Sequence, residues 1–334
     1  MRSKRVTLQT LAEELGVSKV AVSKALNGKA GVSEELRNNI VKLAQERGYS
    51  VSLKTKAESE TRNILIFMHE KYFEKDDFFY PNFYKEITKL FLKKKNYQKN
   101  LVLLSEQMIK EKSIPSILDE SNGCLIIGEL EESFVRKIKE TCPATVLTDF
   151  SFPSIDVDSV YTNNFYAMQK LTQLLIDNGH QKIMFVTNEH ETNSIKDRYF
   201  GYQRALYDNG LYKPEMVNQT YCWETDKLND IEELPTAFIC NNDRAAMIIT
   251  HELIKMGFDV PTDISVVGFD DTSYSTMLTP YITTMKVDIP RMAKEAVSLL
   301  ENRINHPSEQ ASHIVLTPSL IERQTHSKVK KISE

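Results

Sequence analysis

The sequence predicts a small all-α helix-turn-helix head followed by an α/β body of two parallel-sheet subdomains. Three observations carry this. Apolar residues recur at helical spacing through the first fifty positions. From residue 62 onward, short unbroken apolar runs alternate with stretches of helical pattern. Charge divides at the same place: residues 1–56 hold eleven Lys and Arg against five Glu, a net +6, so the chain's total of −4 leaves −10 for the remainder. A basic head on an acidic body points to a polyanionic partner for the head alone.

In "VTLQTLAEELGVSKVAVSKALNG", Thr7 is placed to cap a first helix running to Leu15, with Leu8, Leu11, Ala12 and Leu15 on one face. Gly16 ends it, because glycine takes a left-handed turn without steric cost. Val17 plugs the gap between helices, and Ser18 caps a second helix to Leu26, with Val22, Ala25 and Leu26 inward and Ala21 small at the crossing. Asn27-Gly28 stops it. Ser33 caps a third helix, with Leu36, Ile40, Leu43 and Ala44 inward and Gly48 past its end. In a helix-turn-helix the second helix enters the DNA major groove. Lys19, Val20 and Lys24 then face the bases, where lysine donates to guanine and valine meets a thymine methyl. Ser18, Ser23 and Asn27 suit phosphates, and Thr7, Leu8, Ala21, Ser33 and Lys54 complete the expected DNA-facing set. A protein-binding helical domain is the alternative. Basic charge, turn glycine and capping together favour DNA.

The "GVSxxxVSxxLN" spacing strongly resembles the head of the lactose/galactose repressor family of bacterial transcription regulators, and the resemblance covers nearly the whole chain. It implies a sequence-specific repressor acting as a homodimer on an approximately palindromic operator. One departure stands out. The family follows its third helix with a hinge whose leucine wedges into the minor groove, whereas this chain reads "SVSLKTKAESETRN" and puts Glu58 at the wedge position. The negative potential of a minor groove repels a carboxylate, so the hinge helix and a kinked operator do not carry over from the resemblance. Over 51–61 a flexible linker stands as an equal alternative to a hinge helix, with Lys54 and Lys56 left to meet phosphates.

In the body, "NILIFM", "NLVLLS", "GCLIIG", "ATVLTD", "KIMFVT", "TAFICN" and "ISVVGF" read as strands buried on both faces, with helices such as 164–178, 243–256 and 290–304 between them. They are too many for one sheet. The expected break is near "SVYTNN", with recrossings near Asp288–Pro290 and before the final strand. The first subdomain is thus 62–161 with 289–320, the second 162–288 with 321–334. The pattern looks like the periplasmic-binding-protein fold, whose cleft closes on a ligand.

Open α/β sheets bind ligands at strand ends. "KDRYFGYQRAL" puts Arg198 at a helix start, suited to bidentate bonds with vicinal hydroxyls or a carboxylate. "CNND" ends a strand with Asn241 and Asn242, "VVGFDD" with Asp270, and "TVLTDF" with Asp149. The resemblance implies that Arg198 and Asp270 hold an effector, a small sugar. It adds Trp223 as a stacking platform, Phe79 and Tyr80 from "DDFFYPNFYKEI", and Asn164 and Phe165 at the crossing. A cap, turn or core role competes at each position. The alternatives are the same regulator answering a purine or a protein partner, and a sugar receptor with no DNA role.

No phosphate loop, GxSxG elbow or HExxH motif is present in the sequence, and Asp270-Asp271 has no neighbouring base or metal set in sequence, so neither an enzyme, a cofactor nor a metal is expected. Cys124, Cys142, Cys222 and Cys240 form no CxxC pair and read as buried thiols. His180, in "NGHQKI", reads as a turn residue bonded to backbone. The start "MRSKRVTLQT" has no apolar signal-peptide core, which gives a cytoplasmic expectation. The tail after Leu320 lacks leucine heptads, so a dimer is expected and not a tetramer.

Overall fold

A computed structural model describes residues 7–26, 31–47, 61–74, 78–187, 192–213, 220–223 and 227–329. The chain divides into two compact units, Met1–Arg62 and Asn63–Glu334.

The head has three helices: α1 (Leu8–Glu14), α2 (Lys19–Leu26) and α3 (Glu34–Glu46). Their core is Leu11, Ala12, Val22, Ala25, Leu26, Ile40 and Ala44, with Leu8, Leu15, Val17, Leu36 and Leu43 packed around it. Thr7 caps α1 through a reciprocal pair with Thr10. Gly16 has φ +64 and turns the chain out of α1, so that Val17 N reaches back to Ala12 O at 3.0 Å. Ser18 Oγ accepts from Ala21 N and Ser33 Oγ from Leu36 N, as the spacing predicts. Arg37 ties α3 to α2 by donating to Ala25 O, and Arg47 ties α3 to Glu14. The expected stop at Asn27-Gly28, Gly48 beyond α3, and the linker with Lys54, Lys56 and Glu58 lie outside the described residues.

The body contains two six-stranded sheets. The first is built from β1 (Arg62–His69), β2 (Tyr97–Leu104), β3 (Gly123–Ile127), β4 (Thr145–Thr148), β5 (Asp158–Thr162) and β11 (His313–Leu316), in the order β11-β5-β4-β3-β1-β2. The second is built from β6 (Ile183–Thr187), β7 (Tyr221–Cys222), β8 (Ala237–Cys240), β9 (Ser265–Asp270), β10 (Thr283–Lys286) and β12 (Ser319–Ile321), in the order β12-β10-β9-β8-β6-β7. The pairs β1/β3, β3/β4, β4/β5, β5/β11, β6/β7, β6/β8, β8/β9 and β9/β10 are parallel, and β10/β12 is antiparallel.

The unbroken apolar strands are buried on both faces. In the second sheet Ile239, Val267 and Phe269 pack with Tyr202 and Leu206 of α9 (Asn193–Asp208). Their neighbours Phe238, Cys240 and Val266 pack on the other face with Ala245, Ile249 and Leu253 of α10 (Asp243–Lys255). In the first sheet Ile64 and Ile66 face Phe83 and Ile87 of α5 (Phe79–Leu92) and Ala296 of α11 (Ile289–Asn305). Leu65, Phe67 and Ile126 face Phe134 and Ile138 of α7 (Glu132–Thr141). The short helices α4 (Lys71–Glu74) and α6 (Glu106–Lys110) follow β1 and β2, and α8 (Asn164–Asp177) carries the chain from the first sheet to the second.

Several expectations are adjusted. The strand expected in "NQTYCW" is only Tyr221–Cys222, an edge strand, and this leaves Cys222 half-buried while the other three thiols are buried. The last crossing between sheets falls between Leu316 and Ser319, slightly before the expected boundary at 320. His180 is buried and bonded to Thr236 Oγ1 and to the Ser327 carbonyl, and burial pulls its pKa down.

Candidate functional site

In the head, α2 presents Lys19, Val20 and Lys24 to solvent. Val20 stays 63% exposed although it is apolar. An exposed valine between exposed lysines at the leading end of the second helix has the chemistry to read base edges: two donors and a methyl surface. Ser23 and Ala21 are half-buried, and Leu8 leans on the head core. The hydroxyls of Thr7, Ser18 and Ser33 accept backbone N–H bonds as caps, and the Thr7 hydroxyl also bonds the Thr10 hydroxyl at 3.0 Å. Asn27 and Lys54 lie outside the described residues.

In the body, the second sheet's carboxyl ends build a buried polar centre. Arg198, in the second turn of α9, is only 6% exposed. Its Nε donates to Asn164 Oδ1 at 2.8 Å, its Nη1 donates to the Asn241 carbonyl, and its Nη2 donates to Asp270 Oδ1 at 3.1 Å. The guanidinium lies 3.7 Å from the Phe269 ring centroid. Burial pushes the Asp270 carboxyl up, opposed by Arg198. Asp270 and Asp271 have φ +99 and +57, left-handed values that non-glycine residues rarely hold. Beside them Asp243 is fully buried; it accepts from Thr284 Oγ1 at 2.6 Å and Thr272 N at 2.6 Å. Burial first and the Asp270 charge second push its pKa well above the usual range. Asp271 instead pairs with Arg323 and Lys286.

The first sheet's carboxyl ends build an aromatic counterpart. Asp149 follows β4 at φ +70 and accepts from the Tyr80 hydroxyl at 2.9 Å. Tyr80 stacks on Tyr72 with centroids 4.0 Å apart and meets the edge of Phe79. Gly128 makes this packing possible: it has φ +76, and a Cβ there would sit 2.5 Å from the Tyr72 ring. The next residue, Glu129, accepts Tyr72 Oη on its carbonyl and, at 2.7 Å, Asn193 N on its carboxylate. That bond joins the end of β3 to the first residue of α9. Phe78 and Tyr274 make a ring contact at 5.0 Å between the same two halves. The carboxyl ends of the two sheets therefore face each other across a cleft.

Residues 7–52 match the family model for bacterial regulatory proteins of the lacI family, and residues 172–326 match the periplasmic binding protein-like domain. The chain carries a lacI-family DNA-binding domain and a periplasmic-binding-protein-like domain. Catabolite control protein A of Priestia megaterium is 26% identical across 97% of this chain and 99% of that protein. The HTH-type transcriptional repressor PurR of Pasteurella multocida is 27% identical across 96% and 98%. Two solved structures share the fold at a TM-score of 0.68 each. One is the transcriptional regulator CelR–cellobiose complex, 22% identical over 96% of this chain and 100% of that one. The other is the lac repressor dimer bound to operator and the anti-inducer ONPF, 20% identical over 97% and 100%. The chain is accordingly a DNA-binding transcription regulator with a periplasmic-binding-protein-like body.

The cleft sorts the expected effector residues. Arg198 and Asp270 are joined directly, and Asn164 with them. Phe165, next to Asn164, stays 39% exposed. Tyr80 and Asp149 are joined on the opposite side, with Phe79 buried beside them. Asn242 is a helix cap whose side-chain oxygen accepts Ala245 N. Trp223 packs on the α10 side of the second sheet under the Arg244 guanidinium, whereas Arg198 stacks on Phe269 of the α9 side. Sequence reasoning passed over Asp243, Tyr72 and Glu129. The signal for Glu129 was a glycine directly after a strand, in "IIGEL". Among the described residues no helix is long and apolar enough to cross a membrane, and no group of three or more His, Cys, Asp or Glu is placed to hold a metal.

Proposed function

We propose that this regulator represses its target genes as a homodimer on an approximately palindromic operator, and that a small neutral sugar bound in the cleft controls it. The observation that carries the sugar is the buried Arg198–Asp270 pair at the strand ends. A hydroxyl accepts from the guanidinium while donating to the carboxylate. A vicinal diol thus replaces the ion pair bond for bond and leaves neither charge stranded. Tyr80 and Phe79 offer apolar ring faces to the C–H side of the sugar. Support also comes from fold neighbours solved with cellobiose and with ribose, and from the operator-bound dimer. Ligand binding then changes the angle between the two sheets and, through the linker at 51–61, the spacing of two heads. The role is regulatory and not catalytic. A chain that reads DNA works in the cytoplasm of a bacterium.

In the head, Lys19, Val20 and Lys24 read bases, while Thr7, Leu8, Ser18, Ala21, Ser23, Asn27, Ser33 and Lys54 fix register. Lys24→Ala weakens binding to the selected operator by about 1–3 kcal/mol and relaxes one base position. Equal losses on operator and random DNA make Lys24 a phosphate contact only. For the cleft, titration calorimetry with neutral mono- and disaccharides, sugar acids and purines is the test. A neutral sugar binds the native chain and alters operator affinity, and Asp270→Asn weakens it at least about tenfold. Binding of a purine alone, or of a sugar with unchanged affinity in Asp270→Asn, overturns the assignment.

A further inference from the structure

We propose that Glu129 is a clasp across the cleft: its bond to the first N–H of α9 draws the halves together, and the closed population it maintains sets effector affinity. Only the second clause rests on the cleft being the effector site. Glu129 is delivered by a constrained backbone. Gly128 holds a left-handed turn that no side chain fits, and the Tyr72 hydroxyl pins the Glu129 carbonyl at 3.2 Å. Its carboxylate therefore meets the other half at a defined place.

What it meets is suited to an anion. Asn193 is the first residue of a sixteen-residue helix, where free N–H groups and the helix dipole favour negative charge. The N-cap Thr192 bonds Ile195 N and leaves Asn193 N to Glu129. Lys71 on the near side and Lys196 on the far side add attraction, Asp197 opposes it, and burial opposes it most. The contact is made wholly by the chain's own atoms, so it biases closure before any effector adds to it. An effector that binds the closed form gains apparent affinity in proportion to that form's population.

The test uses two alterations on opposite sides of the bond. Glu129→Ala removes the acceptor. Asn193→Pro removes the donor at a first-turn position where proline is well tolerated, after a residue that already has extended backbone (Thr192, φ −81, ψ 165). Spin labels are placed at Glu140→Cys on α7 and Lys255→Cys on α10, in a Cys222→Ser background, and labelled chains are diluted with unlabelled ones. Without added sugar, each alteration adds a longer-distance population to the distribution, the two together add no more than either alone, and Glu129→Gln, which keeps an acceptor, stays native-like. Effector binding weakens about fivefold or more in Glu129→Ala and Asn193→Pro. Unchanged distances in both variants overturn the clasp and leave the sugar reading standing. Shifted distances in a protein that binds no sugar keep the clasp and remove the effector.

Discussion

In strand order the two sheets of the body match, with β11 ranked with β12, β5 with β10, β4 with β9, and so on to β2 and β7, although β11 runs parallel to β5 and β12 antiparallel to β10. In each, the third strand runs into an aspartate held in the left-handed region, Asp149 at φ +70 and Asp270 at φ +99. The topology thus places one strained carboxylate at each lip of the cleft. The partners differ. Asp149 meets a phenol in a wall of stacked rings, whereas Asp270 meets a guanidinium that Asn164 and the Asn241 carbonyl also hold. The first lip is an aromatic surface around a carboxylate, and the second is a charged, hydrogen-bonded centre. Matching strand orders with unlike partners give the cleft one aromatic side and one hydrogen-bonding side, which is the pairing the proposed sugar would use.

The sharpest way to break this comparison is to remove each partner. Arg198→Met leaves Asp270 buried without its cation and strands the Asn164 and Asn241 oxygens. Unfolding in urea is expected to show a loss of about 3–5 kcal/mol. Adding Asp270→Asn restores part of it, because the double variant no longer buries an uncompensated charge. A double variant less stable than Arg198→Met means the carboxylate has support other than Arg198. Tyr80→Phe is the matching change at the first lip. It keeps the stack on Tyr72 and deletes one bond to a carboxylate, for about 1.5–3 kcal/mol. Effector affinity is expected to collapse in the first case and to change little in the second. Equal losses of affinity would show that the two lips bind alike.

The difference between the lips also tracks what was legible in the sequence. β1, β3, β8 and β9 each contain an unbroken apolar run, and burial on both faces follows from that composition. β5 reads as a boundary, since "DSVYT" is polar at both ends, yet it is an inner strand. Asp158 is paired with Arg303, 145 residues away, and Ser159 with His313. Local pattern cannot show a distant partner. Arg198 stood out for its motif, "KDRYFGYQRAL", and Asp270 for its place at a strand end, and the structure joins the two by a hydrogen bond. Asn242 and Trp223 stood out equally; in the structure Asn242 caps α10 and Trp223 packs under the Arg244 guanidinium. Glu129 was hidden because its partner is a backbone N–H, which no residue type announces, and because "GELEES" looks like a solvated loop.

The smallest expected effect sharpens the comparison from inside the second lip, where a further carboxylate, Asp243, lies buried beside Asp270. Its bonds all come from neutral donors: Thr284 Oγ1, Thr272 N and Thr272 Oγ1. Burial pushes its pKa well above the ordinary carboxylate range. The folded chain then keeps a proton that the unfolded chain releases near pH 4. Stability is consequently greatest below about pH 4 as far as this group is concerned, and it declines as pH climbs through the raised value. Asp243→Asn fits the same site, with its oxygen toward Thr272 N and its amide toward Thr284 Oγ1. It carries no charge to desolvate. At pH 8 it is expected to be more stable than the native chain, and the difference should vanish toward pH 4. Thermal unfolding of both proteins from pH 4 to pH 8 measures this. A variant that is less stable at every pH would mean that the carboxylate charge is compensated in place, and that the second lip holds its negative charges without cost.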